Sequence, residues 1–369
     1  MRKVAIVYDR VNKWGGAERV LLALHEIFPD APLFTSVYDE KKAPWAKVFK
    51  SVKTSFLQNI PFAKSWHEGF GWVMPFVFES FNFDEYDLVI SVTSEAAKGI
   101  KTGPKTFHIS YILTPTRYLW SHYDLYFKNS ILKYISGPVV NYLRAWERMA
   151  AKRPDVMVAI STEVKNRIKK YYRRNSEIIF PPVSKSNTLN PKFKINPKGK
   201  HYLLVSRLDF GYKKVDLVIE TFNRLRLPLV IVGTGREEVK LKCLAKSNIK
   251  FAGRVSEEKL KKYYQNAKAL IMPQEEDFGI VAVEAQMYGV PVIAYKKGGV
   301  IDTVIPGKTG IFFEEQKPES LADAIKRFEK MKFRKNDIIK NAKKFSVGRF
   351  RKELLALINK QGMNKIYTP

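Results

Sequence analysis

Two glutamates, Glu276 and Glu284, lie in the segment of this sequence that carries the strongest chemical signal. A strand is predicted to end at Pro273, a polar acidic loop follows, a helix begins near Gly279, and Gly289 stops that helix before the next strand. Ligands of open α/β sheets bind at the carboxyl ends of the strands, and the unpaired amides of a helix N-terminus attract a diphosphate. A carboxylate in the loop can accept hydrogen bonds from sugar hydroxyls, and one inside the helix can hold two ribose hydroxyls. The spacing therefore fits a nucleotide sugar, while capping and complementation of the helix dipole are the alternative interpretation.

A series of alternating strands and helices is expected to position these glutamates. The predicted strands are Tyr202–Ser206, Leu229–Val232, Ile249–Phe251, Ala269–Met272 and Val292–Ala294. The predicted helices are Val215–Leu225, Glu257–Asn266 and Gly279–Tyr288. Strands separated by helices pair in parallel, so this half of the chain is predicted to be a doubly wound α/β domain.

The first half of the chain shows the same alternation. A buried-type strand at Val4–Tyr8 leads through a turn at Gly15–Gly16 into a helix at Ala17–Phe28, which Pro29 closes. Further strands are predicted at Leu88–Val92, Phe107–Ile112, Val156–Ile160 and Ile178–Phe180, and a helix is predicted to run through Tyr172. Two similar doubly wound halves are the result.

The chain is predicted to divide at residues 184–200, which are polar and interrupted by prolines. A chain of 369 residues exceeds what one core usually organises. We therefore expect an N-terminal domain at 1–183, a linker at 184–200 and a C-terminal domain at 201–345. A basic amphipathic helix in 346–369 is expected to pack back on the N-terminal domain.

The composition narrows the classes of partner and location. A net charge of +29 should attract polyanions, or else reflects a lysine-rich solvated surface. No zinc-finger, RNA-recognition or basic-zipper pattern appears, so no specific nucleic acid is expected. The one cysteine, Cys243, permits neither a disulfide framework nor a Cys/His metal site, which favours a reducing cytoplasm. The sequence shows no secretory signal and no spanning segment, so any contact with a membrane is expected to be peripheral.

Aromatic residues concentrate between Phe62 and Tyr86, with Lys64 and His67 among them. A core packed with large rings is the default expectation for such a run. The mixture of rings and basic side chains also suits a bilayer interface or a lipid-linked acceptor. Both interpretations stay open at the level of the sequence.

The segment around Glu276 and Glu284 resembles the E-x7-E motif of family-4 glycosyltransferases, and an ordered series of further motifs extends the resemblance over nearly the whole chain. These motifs are Gly15–Val20, Ala159–Ser161, Phe180–Val183, Val205–Leu208, Lys213–Asp216, Ile231–Gly235, Phe251–Val255, Gly298–Gly299 and Gly307–Gly310. The resemblance implies a GT-B fold, in which two Rossmann-like doubly wound parallel-sheet domains face a cleft. It also implies a donor site mainly on the C-terminal domain and an acceptor site on the N-terminal one.

Carried over position by position, the resemblance implies that Arg207 and Lys213 hold the donor diphosphate, Glu276 holds the donor sugar and Glu284 the ribose. Arg207, Lys213 and Glu276 are the implied catalytic residues, because cations stabilise the charge that develops on a departing nucleoside diphosphate. The other implied donor-binding residues are Gly15, Gly16, Gly233, Phe278, Gly279 and Ile280. Such enzymes retain the anomeric configuration and need no metal, and no DxD metal motif stands out. No cofactor is expected besides the nucleotide-sugar co-substrate.

Two departures from the family pattern affect this assignment. The stretch Tyr111–Trp120 resembles a YCHTPxRYxW element on the acceptor side, in which Arg117 and Tyr118 match but Leu113 replaces the family's histidine. This replacement predicts altered acceptor chemistry or reduced activity. The loop that begins at Arg207 is also one residue longer than usual, so that Lys214 is an alternative to Lys213.

The subgroup resemblance predicts a GDP-mannose-dependent mannosyltransferase of O-antigen or other surface-polysaccharide assembly. It would act on a lipid-linked glycan at the inner face of the cell membrane, where anionic lipid would attract the basic surface. A UDP-sugar-dependent transferase and a nucleotide-sugar 2-epimerase share the fold and remain alternatives. A non-catalytic binder of polyanions or glycans is the alternative of another class. A dehydrogenase is disfavoured, because the opening loop lacks G-x-G-x-x-G.

Overall fold

A computed structural model of the protein describes residues 3–65, 67–127, 130–183, 199–209 and 211–360. Most of the predicted linker at 184–200 lies outside these ranges. The chain divides into two compact units, one formed by Met1–Pro182 with Gly348–Pro369 and the other by Val183–Val347.

Parallel β-sheets form the centre of both units. The strands of the first unit are β1 (Val4–Tyr8), β2 (Leu33–Thr35), β3 (Val52–Thr54), β4 (Leu88–Thr93), β5 (Phe107–Ile112), β6 (Val156–Ala159) and β7 (Glu177–Ile178). Those of the second are β8 (His201–Val205), β9 (Leu229–Val232), β10 (Ile249–Gly253), β11 (Ala267–Met272), β12 (Val292–Tyr295) and β13 (Gly310–Phe313). Among the described residues, the strand orders are β3-β2-β1-β4-β5-β6-β7 and β10-β9-β8-β11-β12-β13.

These two orders follow the same rule. Each sheet grows outward in one direction from its first strand and then in the other, so that the order reverses between β1 and β4 and between β8 and β11. All pairings between the strands are parallel. Ligands of doubly wound folds bind outside the carboxyl ends of the strands at such a reversal. The topology therefore marks one edge of each sheet as the place to look for a site.

Helices connect the strands. They are α1 (Gly16–Ile27), α2 (Met74–Glu79), α3 (Tyr123–Tyr126), α4 (Ser130–Ala150), α5 (Thr162–Tyr172), α6 (Val215–Leu225), α7 (Glu238–Leu244), α8 (Glu257–Gln265), α9 (Ile280–Met287), α10 (Val300–Thr303), α11 (Pro318–Glu329), α12 (Lys335–Lys343) and α13 (Val347–Lys360). Short 3₁₀ helices lie at Pro44–Val48, Phe56–Asn59, His67–Val73, Ala97–Gly99 and Gly211–Lys213. No helix in the described ranges is both long enough and apolar enough to cross a bilayer.

Side chains of alternating strand positions build a core on each face of the second sheet. Tyr202, Leu204 and Ile231 pack with α6 and α11 on one face, whereas Leu203 and Val230 pack with α8 and α9 on the other. Because helices cover both faces of the sheet, the strand sequences are nearly continuous runs of apolar residues. This is why they are predictable from the sequence.

The aromatic run between Phe62 and Tyr86 divides between the core and the surface. Phe78, Phe83 and Tyr86 are buried in the core of the first unit, as its default interpretation predicts. Other rings are exposed, among them Phe62 at 78%, Trp72 at 56% and Phe76 at 59%. Trp66 lies outside the described residues. Neither interpretation of the run holds alone.

The predicted C-terminal tail contains a helix that contacts the first unit. In α13, the ring of Phe350 meets that of Tyr111 edge-on at 5.8 Å, and Arg349 donates to the carbonyl oxygen of Phe180 at 2.7 Å. Residues 361–369 lie outside the described ranges. The predicted strand at Ile178–Phe180 is wrong in its bounds, because β7 covers only Glu177–Ile178 before the chain reaches its paired prolines.

Candidate functional site

The carboxyl ends of β8 and β11 bring two sequence-predicted residues into contact. The Lys213 ammonium lies 2.5 Å from the Glu276 carboxylate, although the two residues belong to different βα loops. Only 11% of the Lys213 side chain and 20% of the Glu276 side chain are exposed. Gln274 donates a further hydrogen bond to the same Glu276 oxygen at 2.9 Å. A shielded cation and carboxylate thus lie together at the reversal of the strand order.

The backbone distinguishes Lys213 from its alternative, Lys214. Lys214 precedes the first turn of α6 with a left-handed φ of +53°. Lys213 ends the short 3₁₀ turn before it, and its ammonium also lies 5.0 Å from the ring of Tyr212. The structure therefore directs Lys213 towards Glu276.

Glu275 and Glu276 are adjacent in sequence but pair with different lysines. Glu275 lies 3.2 Å from the Lys297 ammonium, in the loop after β12. That lysine is 59% exposed, so the pair is weakly stabilising at most. Glu276 is the carboxylate of the two that contacts Lys213.

Arg207 is the second residue after the end of β8, and its side chain is exposed. Its loop is held by backbone hydrogen bonds from Leu208 to Thr234 at 3.0 Å and from Glu237 to Leu208 at 3.0 Å. Asp209 adds a bond by accepting from the amide of Arg236 at 2.7 Å. The loop is fixed while the guanidinium faces solvent, an arrangement suited to an anionic ligand.

Two glycines allow the loops at this edge to pack against each other. A Cβ on Gly233, which has a φ of +135°, would lie 1.8 Å from the carbonyl oxygen of Ser206. A Cβ on Gly298, with a φ of +81°, would lie 2.3 Å from the carbonyl oxygen of Glu276. Both positions therefore require glycine. Gly233 supports the site by letting the loop of β9 approach that of β8.

Helix α9 begins at this edge behind a glycine, which has no side chain to cap the first amides. Gly279 precedes its first turn with a φ of +87°, and no acidic side chain lies in that turn. The helix start at Ile280 therefore presents a positive dipole end at this edge, with no acidic side chain in its own first turn. Phe278 is buried and packs edge-on against Phe345 at 5.5 Å, which anchors the loop just before the helix.

Glu284 lies one turn further inside α9 and is half-buried. Its Oε2 accepts a hydrogen bond from the Tyr264 hydroxyl at 3.1 Å. Sequence reasoning did not identify Tyr264, because a tyrosine in an amphipathic helix gives no signal of its own. The contact appears only once α8 and α9 are packed together.

The first unit carries a second polar group, at the reversal between β1 and β4. Asp9 follows β1 and accepts hydrogen bonds from the Thr93 hydroxyl at 2.8 Å and from the backbone amides of residues 94–97 at 2.7–3.0 Å. Burial raises the pKa of Asp9, and the nearby Glu95 carboxylate raises it further. Asp9 thus fixes the turn that follows β4.

The Arg10 guanidinium pairs with the Glu95 carboxylate beside this turn. The two side chains are 12% and 19% exposed, so part of the pair reaches the surface at the edge where ligands bind. Sequence reasoning missed both residues. A charged residue two positions after the end of each of two buried strands is the signal that points to them.

The predicted glycine turn lies at the same edge of the first unit. Gly15 precedes α1, and a Cβ there would lie 3.2 Å from a carboxylate oxygen of Glu18. Glu18 is buried, its pKa is raised by burial, and it accepts from the Tyr8 hydroxyl at 3.1 Å. The predicted contact of Gly15 and Gly16 with donor phosphates stays a prediction.

The residues predicted to lie on the acceptor side, Leu113, Arg117 and Tyr118, are in the loop after β5. Leu113 donates its backbone amide to the carbonyl oxygen of Thr93 at 2.8 Å. Burial raises the pKa of the Tyr118 hydroxyl well above its usual range, with Glu95 contributing next. These positions are thus close to the turn that follows β4.

A buried carboxylate, Glu147 of α4, holds this loop. It accepts from the Thr116 hydroxyl at 2.5 Å, the Trp120 indole at 2.6 Å and the Tyr172 hydroxyl at 3.1 Å. The Lys98 ammonium also lies 2.5 Å from it, and both charged side chains are almost fully buried. Sequence reasoning missed this cluster because its members are scattered along the chain.

No group of three or more His, Cys, Asp or Glu side chains in the described ranges has an arrangement suited to a metal ion. The expected metal independence stays a prediction.

Comparison with known proteins finds similarity to sugar transferases. Residues 185–345 match the family model described as "Glycosyl transferases group 1", a range that nearly coincides with the second unit. An uncharacterized glycosyltransferase of Methanocaldococcus jannaschii is 24% identical over 208 residues, which are 55% of this chain and 58% of that protein. The D-rhamnosyltransferase WbpZ of Pseudomonas aeruginosa is 24% identical over 221 residues, 56% of each chain. The chain thus spans a little over half the length of these relatives.

Solved structures match nearly the whole chain. The lipopolysaccharide outer core galactosyltransferase WaaB superimposes with a TM-score of 0.68 at 19% identity, over 97% of this chain and 99% of that one. HepE from Anabaena, solved with UDP-glucose, gives 0.68 at 18% identity, over 98% and 100%. These likenesses confirm the predicted GT-B fold with its two Rossmann-like parallel-sheet domains.

Proposed function

We propose that this chain is a glycosyltransferase that moves a hexosyl residue from a nucleoside diphosphate sugar to an acceptor hydroxyl. The observation that carries the proposal is the contact between Lys213 and Glu276 at the carboxyl edge of the second sheet, beside the start of α9. A cation for phosphate, a carboxylate for hydroxyls and a helix dipole for an anion are the groups that such a donor requires.

The proposed reaction replaces one bond to the anomeric carbon with another. The bond to the donor's diphosphate oxygen breaks, and the diphosphate leaves with the electron pair. Lys213 and Arg207 stabilise the negative charge that develops on it. The acceptor oxygen bonds to the same carbon from the same face, and its proton passes to the departing phosphate, so that the configuration is retained. Glu276 binds donor sugar hydroxyls and orients Lys213, and no metal takes part.

The donor that we propose first is GDP-mannose, because the Tyr111–Trp120 stretch resembles the mannosyltransferase subgroup. A specific observation favours a second candidate, a UDP-sugar, since the structural relative HepE was solved with UDP, with UDP and glucose, and with UDP-glucose. The phosphate contacts proposed above, and the ribose contact that the family resemblance implies for Glu284, serve either nucleotide.

The acceptor that we propose is a lipid-linked glycan, reached at an anionic membrane surface. The support lies in α4, where Tyr134, Ile135, Val139 and Tyr142 form an exposed apolar face, with Tyr134 86% exposed. Lys133 adjoins this face, and the chain carries a net charge of +29. Apolar rings bounded by cations suit the boundary between headgroups and acyl chains. The expected location is peripheral, on the inner face of the cell membrane.

A thermal-shift panel of GDP, UDP, ADP and their sugars tests the proposal. We expect one nucleotide and its sugars to stabilise the chain, and the base of that nucleotide identifies the donor. Arg207→Ala and Glu284→Ala should each reduce the shift. Binding of RNA or an acidic glycan with a steep salt dependence, and of no nucleotide, would instead identify a polyanion binder. Interconversion of the nucleotide sugar without an acceptor would identify an epimerase.

A further inference from the structure

The hydroxyl of Tyr264 reaches Glu284 from a neighbouring helix. Tyr264 lies near the end of α8, and its Oη donates to Oε2 of Glu284 in α9 at 3.1 Å. The tyrosine is only 2% exposed, whereas Glu284 is half-buried. A hydrogen bond from a buried, neutral donor to an ionised carboxylate is among the stronger kinds in proteins.

Packing leaves the Tyr264 ring little freedom. It stacks on the ring of Tyr288 with centroids 5.4 Å apart and planes inclined by 10°. Both rings belong to the apolar cluster that also contains Ala282 and Ala285 of α9. Because alanine side chains are small, the Tyr264 ring can pack against α9 at these two positions. Its hydroxyl then reaches Glu284, which lies between them in the sequence. A side chain held this way presents its donor at one position.

Helix α9 is itself fixed on its other side. Gln286 is fully buried, donates to the carbonyl oxygen of Thr303 at 2.9 Å and accepts from Asn341 at 2.8 Å. The backbone that carries Glu284 is therefore anchored, and the hydrogen bond from Tyr264 restricts the rotation of the carboxylate. A carboxylate that must accept from two neighbouring hydroxyls at once depends on that orientation.

We infer that Tyr264 is the positioning residue of Glu284 and sets the preference of this chain for ribonucleotides over 2′-deoxyribonucleotides. The inference rests on the proposed function, because it assumes that Glu284 holds the nucleotide's ribose. Tyr264 itself acts through Glu284. Its effect is therefore confined to ligands that carry the hydroxyl which Glu284 accepts from.

The test measures dissociation constants of UDP and GDP and of their 2′-deoxy analogues for the full chain by calorimetry. The variants are Tyr264→Phe, Glu284→Ala and the double variant, with Tyr288→Phe as the matched control. Tyr264→Phe should weaken ribonucleotide binding about threefold to tenfold and change 2′-deoxynucleotide binding by less than about twofold. In Glu284→Ala, the dissociation constants of a ribonucleotide and of its 2′-deoxy analogue should become similar. Adding Tyr264→Phe to Glu284→Ala should change neither constant further. Tyr288→Phe should leave their ratio as in the wild type.

A merely structural tyrosine would give another result. Loss of packing would weaken both kinds of nucleotide equally, and an unchanged ratio in Tyr264→Phe overturns the inference. An effect of Tyr264→Phe that persists in the Glu284→Ala background also overturns it, because the tyrosine would then act by another route. If the wild type binds neither UDP nor GDP, the proposed function fails first, and the inference fails with it. If it binds ribonucleotides and 2′-deoxynucleotides equally, only the inference fails.

Discussion

Replacing Glu147 alone in the buried pair of Lys98 and Glu147 should destabilise the first unit more than replacing both residues together. Glu147→Gln leaves the Lys98 ammonium buried without a countercharge, and removal of one partner of such a pair typically costs about 3–5 kcal/mol. Lys98→Met combined with Glu147→Gln removes both charges and keeps one carbonyl oxygen for Thr116, Trp120 or Tyr172. We expect the double variant to recover at least half of the loss, because the uncompensated charge is the larger cost.

Tryptophan fluorescence isolates the unit that contains this pair. Every tryptophan of the chain lies in the sequence of the first unit, at Trp14, Trp45, Trp66, Trp72, Trp120 and Trp146. Urea unfolding followed by tryptophan emission therefore reports on that unit alone. With a slope of about 2–3 kcal/mol per molar urea, Glu147→Gln should lower the midpoint by roughly 1–2 M.

An exposed ion pair between α4 and α3 supplies the control. Lys133 lies 2.7 Å from Asp124, but the two side chains are 47% and 85% exposed, so Lys133→Ala should leave the midpoint unchanged. A double variant no more stable than Glu147→Gln would refute the reasoning. It would show that the hydrogen bonds to Glu147, and not the paired charge, determine the cost.

Three further predictions concern pH, backbone and membrane. His108 is fully buried, and burial lowers its pKa to about 3. In the unfolded chain the imidazole has its ordinary pKa near 6.5, so it takes up a proton at a higher pH than in the folded chain. The free energy of unfolding of the first unit should therefore fall by up to about 1.4 kcal/mol per pH unit below that value. Urea titrations at pH 7 and 5.5 should show that His108→Gln removes this pH dependence. Gly233→Ala should destabilise the second unit by more than about 3 kcal/mol in melting curves. Gly253→Ala, whose Cβ would meet no atom within 4 Å, should destabilise it by only about 1–2 kcal/mol. Equal losses of stability would contradict the role of the Ser206 carbonyl oxygen. The double variant Tyr134→Asp/Ile135→Asp should abolish cosedimentation with phosphatidylglycerol vesicles. The control Val239→Asp, at an apolar position of the second unit that is 75% exposed, should leave cosedimentation unchanged. Retained binding by the α4 variant would exclude that face of α4 as the membrane contact.

The sheets were largely predictable, because strands covered on both faces need continuous apolar runs. β5 and β9 match their predicted bounds, and so does α6. The strands β2 and β3 were missed because three residues are too few for a periodic signal. Helix α4 was missed because Gly137 and Pro138 interrupt its pattern, although the surrounding residues continue the helix.

The candidate site was predictable only in part, for a physical reason. The resemblance to known motifs named Lys213 and Glu276, but the choice between Lys213 and Lys214, and between Glu275 and Glu276, required the directions of the side chains. The pair of Arg10 and Glu95 joins residues that follow two strands distant in sequence. Such a contact follows from the strand order, which a single sequence does not give.

The contact between Lys213 and Glu276 is tested most directly by calorimetric titration of the nucleoside diphosphate that the thermal-shift panel selects. Lys213→Met should weaken binding about tenfold to a hundredfold, because it removes a charged hydrogen bond to phosphate. The control is Lys268→Met, which removes a lysine paired with Glu329 near the opposite end of β11 and should leave the dissociation constant unchanged. Equal affinities of Lys213→Met and the wild type would contradict the assignment of the donor site to this edge of the sheet.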